Sequence, residues 1–223
     1  MPAFVRVTHW LTTLCFFALL VTGVEIVISH PRFYWGETGN VNTPALFQIP
    51  IPASRASVPT GYDYVLPDQN GWSRALHFQA AWAVLFTGLW YLIAGLRGHL
   101  REHLFPRGFS IASLQHSLAE HLRLPSLAAT PPGQYNLLQR LTYLFVIFGL
   151  FPFMIWTGIA MSPSFTAAFP FTVNLLGGHQ SARTLHFVST LALTVFVLIH
   201  ILMIVLTGFR PRLRAMILGK ATA

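Results

Sequence analysis

Four apolar runs, at roughly 10–29, 76–96, 141–161 and 185–208, constrain this chain more than any other feature of its 223 residues. Each is close to the ~20 residues that an α-helix needs to cross a ~30 Å hydrocarbon layer. With 54% hydrophobic residues, 19 Phe and only 9% charged residues, the composition excludes a large soluble core. The expectation is an all-α membrane protein, a four-transmembrane-helix up-and-down bundle forming a single domain over 1–223, with helices at about 8–29, 74–97, 138–161 and 182–209. The first run shares with a signal peptide a preceding basic residue, Arg6. It nevertheless passes Ile28 and enters His30-Pro31-Arg32 without a small-x-small cleavage site, so it is expected to remain as the first helix, with no long soluble domain before or after the spans.

Orientation follows from the basic residues in the connections. The connection at about 98–137, with its edges, carries Arg97, Arg101, Arg107, Arg123 and Arg140, and the tail carries Arg210, Arg212, Arg214 and Lys220. Both are expected in the cytoplasm. The long connection at about 30–73 and its edge set Arg32, Arg55 and Arg74 against Glu37, Asp63 and Asp68, and the short one before the last helix carries only Arg183, so these face the periplasm. An even number of spans then places both termini in the cytoplasm. The net charge of +8 reflects this asymmetry beside anionic membrane lipid and does not indicate a nucleic-acid surface.

Against that apolar background stand four histidines, His9, His77, His186 and His200. An ionisable group at bilayer depth is costly and marks an ion path, a proton relay or a cofactor. His9 and His77 lie at the starts of helices that run in opposite directions, and so at opposite faces. His200 follows His186 by fourteen residues, ~21 Å along a helix and within ~40° of a whole number of turns. One helix therefore presents a histidine at each level, and the levels select His77 with His186 outside and His9 with His200 inside. Two bis-histidine haem irons would use all four. The single cysteine, Cys15, and the absence of a C-x-x-C-H signature exclude an intrachain disulfide, a cysteine-held cluster and covalent haem, which leaves type b.

Three of the histidines share a local pattern: Arg6-Val-Thr-His9, Arg74-Ala-Leu-His77 and Arg183-Thr-Leu-His186. An arginine one turn nearer water either pairs with a haem propionate, which a guanidinium fork suits, or anchors the helix by reaching to headgroups. Gly23, Gly88, Gly95, Gly149, Gly158 and Gly208 offer close approach for a porphyrin or ordinary helix packing. Trp10, Trp72, Trp82, Trp90 and Trp156 read as interface anchors. His99, His103, His116 and His121 read as solvated loop residues rather than a metal site; His30 and His179 read as loop residues, with His179 the reserve ligand.

The Arg-x-x-His-Trp at 6–10, the helix-2 segment Arg74-Ala-Leu-His77-Phe78 and the two helix-4 histidines resemble the di-haem cytochrome b subunits of bacterial nickel–iron hydrogenase, formate dehydrogenase and thiosulfate reductase. His30-Pro-Arg-Phe-Tyr-Trp-Gly-Glu37 is most similar to the thiosulfate-reductase branch. The resemblance implies a subunit of the bacterial inner membrane, not substrate-converting alone, that moves electrons through two haem b groups. They would pass between a periplasmic molybdopterin, hydrogenase-like or iron–sulfur partner and the quinone pool, with the inner haem beside the quinone pocket. The meeting point of helices 1, 3 and 4 at that face includes Gln139, Arg140 and Tyr143, whose polar groups suit a quinone carbonyl or a proton relay. Two other readings are a free-standing cytochrome b561-type oxidase of a small reductant such as superoxide, and a haem-free proton-coupled transporter.

The outer connection of about 44 residues departs from a minimal four-helix cytochrome. Pro44, Pro50, Pro52, Pro59 and Pro67 rule out one regular element, while Phe33, Tyr34, Trp35, Phe47, Tyr62 and Tyr64 argue against full disorder. It is expected to be a lid over the outer haem or a docking surface.

Overall fold

The computed structural model describes residues 2–40, 42–50, 69–106, 110–122, 135 and 137–219. Arg55, Tyr62, Tyr64, Asp63, Asp68, Pro52, Pro59, Pro67, Arg107, Arg123 and Lys220 lie outside the described residues, as do the side chains of His116 and His121. Along the chain come α1 (Ala3–Ser29), α2 (Gln69–Gly95), α3 (Ile111–Leu122), α4 (Leu137–Ile159), α5 (Pro163–Ala168), α6 (Phe171–Asn174), α7 (His179–Leu206) and α8 (Phe209–Leu218). Four of them, α1, α2, α4 and α7, are long and apolar enough to cross a membrane.

These helices are built for hydrocarbon and not for water. A spanning helix satisfies its own backbone, so its apolar side chains can face lipid. Leu14, Phe86 and Leu198 are all exposed, whereas Thr8, Thr22, Thr87, Thr157, Ser189 and Thr207 are buried. Small hydroxyl residues inside allow close helix approach and complete their bonds on the helix backbone. Thr8, for example, donates to the Phe4 carbonyl at 2.8 Å and Thr207 to Met203 at 2.5 Å.

Two compact units divide these spans. One comprises Met1–Leu11, Phe86–Pro152 and Ala192–Ala223; the other comprises Thr12–Leu85 and Phe153–Leu191. Each takes a part of all four spans. In the first, Arg6 donates to the Ile217 carbonyl at 2.6 Å and Trp10 Nε1 to that of Met216 at 3.1 Å, so α8 is held against the start of α1. α1 accordingly begins at Ala3, several residues before the apolar pattern starts. In this unit α4 widens into a π turn at Val146–Leu150. Pro152 explains it: proline has no N–H to give the carbonyl four residues back, and the wider turn lets the Phe151 N–H reach Val146 instead.

In the second unit, a segment following α1 wraps onto the start of α7. Arg32–Phe33 pairs antiparallel with Phe47–Gln48, and Phe33 is buried against Phe47 and Phe187 with ring centroids at 4.7 and 4.4 Å. Arg183 stands 4.9 Å over the Phe33 ring and donates to the carbonyls of His30 and Arg32. Thr184 adds a 2.7 Å bond to the Tyr34 carbonyl. The Gly36 carbonyl accepts from the amides of Gln180 and Ser181, the Ser181 hydroxyl accepts from the Gly36 amide, and Glu37 accepts from the His179 amide at 3.1 Å. This is a helix N-cap supplied from more than a hundred residues away, and it draws the start of α7 back to His179, which is helical rather than loop. Gly178, at φ +115°, has no room for a side chain against the Gly36–Glu37 backbone. Trp156 differs from the interface-anchor expectation: its Nε1 donates to the Thr172 carbonyl at 3.0 Å and its ring packs with Ala160, Val173, Leu176 and Ala182.

Replacing Arg183 by Met removes the charged donors that hold this segment, at roughly 1.5–3 kcal/mol for hydrogen bonds to a charged group. The thermal midpoint of the detergent-solubilised protein should fall and limited proteolysis within 30–48 should accelerate. An unchanged midpoint with unchanged cleavage would show that the clamp does not hold the segment.

Candidate functional site: two facing histidine pairs

α2 and α7 bring His77 and His186 together in the second unit, with ring centroids 6.4 Å apart and planes at 61°. Each ring is held from behind by a threonine of a third or fourth helix. Thr22 Oγ1 of α1 lies 2.9 Å from His77 Nδ1, and Thr157 Oγ1 of α4 lies 3.0 Å from His186 Nδ1. A hydroxyl has one hydrogen. Thr22 gives it to the Ala18 carbonyl at 2.7 Å and Thr157 gives it to Met154 at 2.9 Å, so both oxygens accept from the imidazoles. This donor count assigns the proton to Nδ1 in both histidines and leaves each Nε2 lone pair available as a metal ligand. The residues after the two threonines are glycines: a Cβ at Gly23 would meet His77 Cε1 at 3.6 Å, and one at Gly158 would meet His186 Cε1 at a crowded 3.3 Å.

In the first unit α1 and α7 bring together His9 and His200, again with centroids 6.4 Å apart, at 51°. Their surroundings are aromatic. Trp10 stands edge-on to His9 at 5.2 Å, Phe196 stacks on His200 at 5.8 Å, and Tyr143 of α4 meets His200 at 6.4 Å.

The shared separation suits a single metal atom between two imidazoles. A metal–nitrogen bond is ~2 Å and a ring centroid lies ~1.1 Å beyond its nitrogen, so two rings on opposite sides of one atom stand ~6.2 Å apart. Among the described residues no three His, Cys, Asp or Glu side chains cluster to hold a bare ion. Two histidines alone leave the remaining positions of a metal to a ligand that brings its own donors, as haem would. The donor set, the fixed tautomer and the glycine cradle all fit that group.

Of the three arginines singled out in the sequence, Arg74 and Arg183 both lie near enough to act electrostatically on His30, and Arg183 donates to His30, Arg32 and Gln180. Arg6 reaches Ile217. Among the residues considered for quinone, Tyr143 touches His200, whereas Arg140 bonds the carbonyls of Tyr135, Glu102 and Phe105 and so shapes the turn after α2. Gln139 is half-buried on α4. His99 and His103 stack at 4.6 Å, with His99 edge-on to Phe4 and Tyr91, in place of two solvated side chains. Sequence reasoning passed over Thr22 and Thr157. Their signal was present as a Thr-Gly pair in or directly after each span, Thr22-Gly23, Thr87-Gly88, Thr157-Gly158 and Thr207-Gly208, all four threonines being buried.

The family model for prokaryotic cytochrome b561 matches residues 1–219, and the chain belongs to that family. It is thus a multi-pass inner-membrane electron-transfer subunit, for which the family implies haem b. The chain is 31% identical over 220 residues, 98% of its own length and 95% of the relative's, to a protein of Azospira oryzae described as a candidate protein-methionine-sulfoxide reductase subunit, YedZ1. No solved structure matches it. Membership of an electron-transport family leaves the haem-free transporter reading without support.

Two histidines outside the spans give the fold a pH dependence. His30 is held below the ordinary imidazole value of 6.5 by burial and then by Arg183 and Arg74, against a bond to Ile26. His99 is lowered by burial and then by His103, with Glu102 opposing. Both favour the neutral ring when folded, so the unfolded chain binds more protons as pH falls through 6.5 and stability declines below that value. The thermal midpoint should therefore drop between pH 7 and 5, and His30→Asn with His99→Asn should flatten the slope. A slope unchanged by the double variant would assign the dependence to other groups.

Proposed function

We propose that the chain carries two b-type haems, one between His77 and His186 and one between His9 and His200, and links the quinone pool to a periplasmic oxidoreductase. The single observation that carries this reading is the pair of equal 6.4 Å imidazole separations, each matching bis-histidine ligation of one iron. The charge asymmetry of the connections supports cytoplasmic termini, with His77 and His186 toward the periplasm. By the likeness to YedZ1, the partner reduces oxidised methionine in proteins, so that electrons run from quinol outward to it; a molybdopterin enzyme is the partner that the resemblance to the thiosulfate-reductase branch implies.

Haem b, once bound, supplies one-electron transfer at each level. The residues do the rest. The four histidines orient it, and Thr22 and Thr157 hold two of those rings. Arg74 and Arg183, gathered near His30, supply positive charge for propionates at one level, and Arg6 at the other; a guanidinium has five N–H donors, of which the Arg183 bonds to Gln180, His30 and Arg32 use three. Gln139, Arg140 and Tyr143 form the quinone side, with Tyr143 against His200 able to move a proton when quinol gives up electrons, and Arg140 setting the shape of the adjacent turn.

A pyridine haemochrome assay should count two haem b per chain, with His186→Ala and His200→Ala each removing one and its midpoint from a redox titration. A single haem indifferent to His200→Ala would overturn the two-centre reading. For the quinone side, Gln139→Ala and Tyr143→Phe should slow haem reduction by a soluble quinol analogue roughly tenfold or more while leaving reduction by dithionite intact. Unchanged quinol rates would remove these residues from the site.

A further inference from the structure

The two threonines behind the His77–His186 pair do more than fill space. Each lies on a helix other than that of the ring it serves, and each side chain is fully buried, at 0% exposure. No water can replace either one as a hydrogen-bond partner in that position. Each oxygen is also oriented by its own helix, because its single hydrogen is committed to a carbonyl 2.7 or 2.9 Å away. Its lone pair is therefore always turned toward the imidazole. The adjoining Gly23 and Gly158 let the rings come that close.

We infer that Thr22 and Thr157 are positioning residues that lower the reduction potential of the His77–His186 centre, by accepting a hydrogen bond from Nδ1–H of each axial histidine. The inference rests on the two-haem reading above. An acceptor at Nδ1 draws that proton outward and raises the basicity of Nε2, the pattern by which partners behind a metal-bound histidine fix its tautomer and tune the metal. A more basic ligand favours the oxidised iron, with its extra positive charge, over the reduced iron. One electron enters or leaves the iron and the Nδ1 proton stays on the ring in both states, so the step needs no further reactant. The bonds at 2.9 and 3.0 Å act on both axial rings, and their effects share one sign.

The test compares Thr22→Val and Thr157→Val, which keep the shape and remove the hydroxyl, with Thr22→Ser and Thr157→Ser, which keep the hydroxyl and remove a methyl. Haem content and redox titration of the full chain in detergent are read together, the relevant midpoint being the one lost in His186→Ala. The expected result is an upward shift in the double valine variant. A tenfold change in the relative affinity of the site for oxidised over reduced haem corresponds to ~59 mV for a one-electron couple. The serine variants should stay near wild type. Loss of this haem in the valine variants but not in the serine variants also supports the inference, because the hydroxyl alone then decides ligation. Full haem content with an unmoved or lowered midpoint overturns it, as does haem loss in the valine and serine variants alike, which would make the methyl packing the cause. Absence of haem from the wild-type chain would instead remove the two-haem reading, and the inference with it.

Discussion

An imidazole in hydrocarbon has two nitrogens and no water to satisfy either, and both must find partners within the protein or on something it binds. This requirement organises the inside of the chain. At His77 and His186 a threonine takes up one nitrogen and leaves the other available, with the two rings 6.4 Å apart. The threonine works only because its own hydrogen has already gone to its helix backbone, and the glycine that follows it at Gly158 spares the His186 ring a crowded contact. Hydroxyls and glycines therefore occupy the interior positions that leucine and phenylalanine would fill in a soluble bundle. The large apolar side chains are turned out toward lipid, where they are needed.

The spans were legible because hydrophobic length is a one-dimensional property that a sequence displays directly. The relation of His186 to His200 was legible for a similar reason: fourteen residues on one helix fix both a rise and a direction, and α7 is unbroken across them. The partners of those rings were harder to read. A threonine within an apolar run looks neutral until its neighbour across the helix interface is known, and only the repetition of Thr-Gly in or directly after each span hinted at a role. The π turn in α4 went unread although Pro152 stands in the sequence, because such a turn depends on which carbonyl a displaced amide can reach.

Helix boundaries failed to show wherever the decisive bond came from a distant segment. Nothing local distinguishes His179 as the first residue of α7; Gly36 and Glu37 do that. The same holds at α1, whose early start is held by the carbonyls of Met216 and Ile217 on Arg6 and Trp10. Trp156 shows the opposite error. Its composition suggested a lipid-facing anchor, but the carbonyl of Thr172 and a small apolar cluster claim it for the interior.

The cap on α7 also determines how this end of the protein meets other molecules. Helix starts ordinarily attract anions, since their free amides and positive dipole end suit phosphates and carboxylates. Here the first three amides of α7 are already bonded to the Glu37 carboxylate and the Gly36 carbonyl, so the site is closed from within the chain. A lipid phosphate or an acidic loop gains nothing there. What the same segment leaves uncovered is the indole of Trp35, the side chain of Leu46 and the outer part of the Glu37 carboxylate, so that a partner there would meet side chains and not the amides of a helix start.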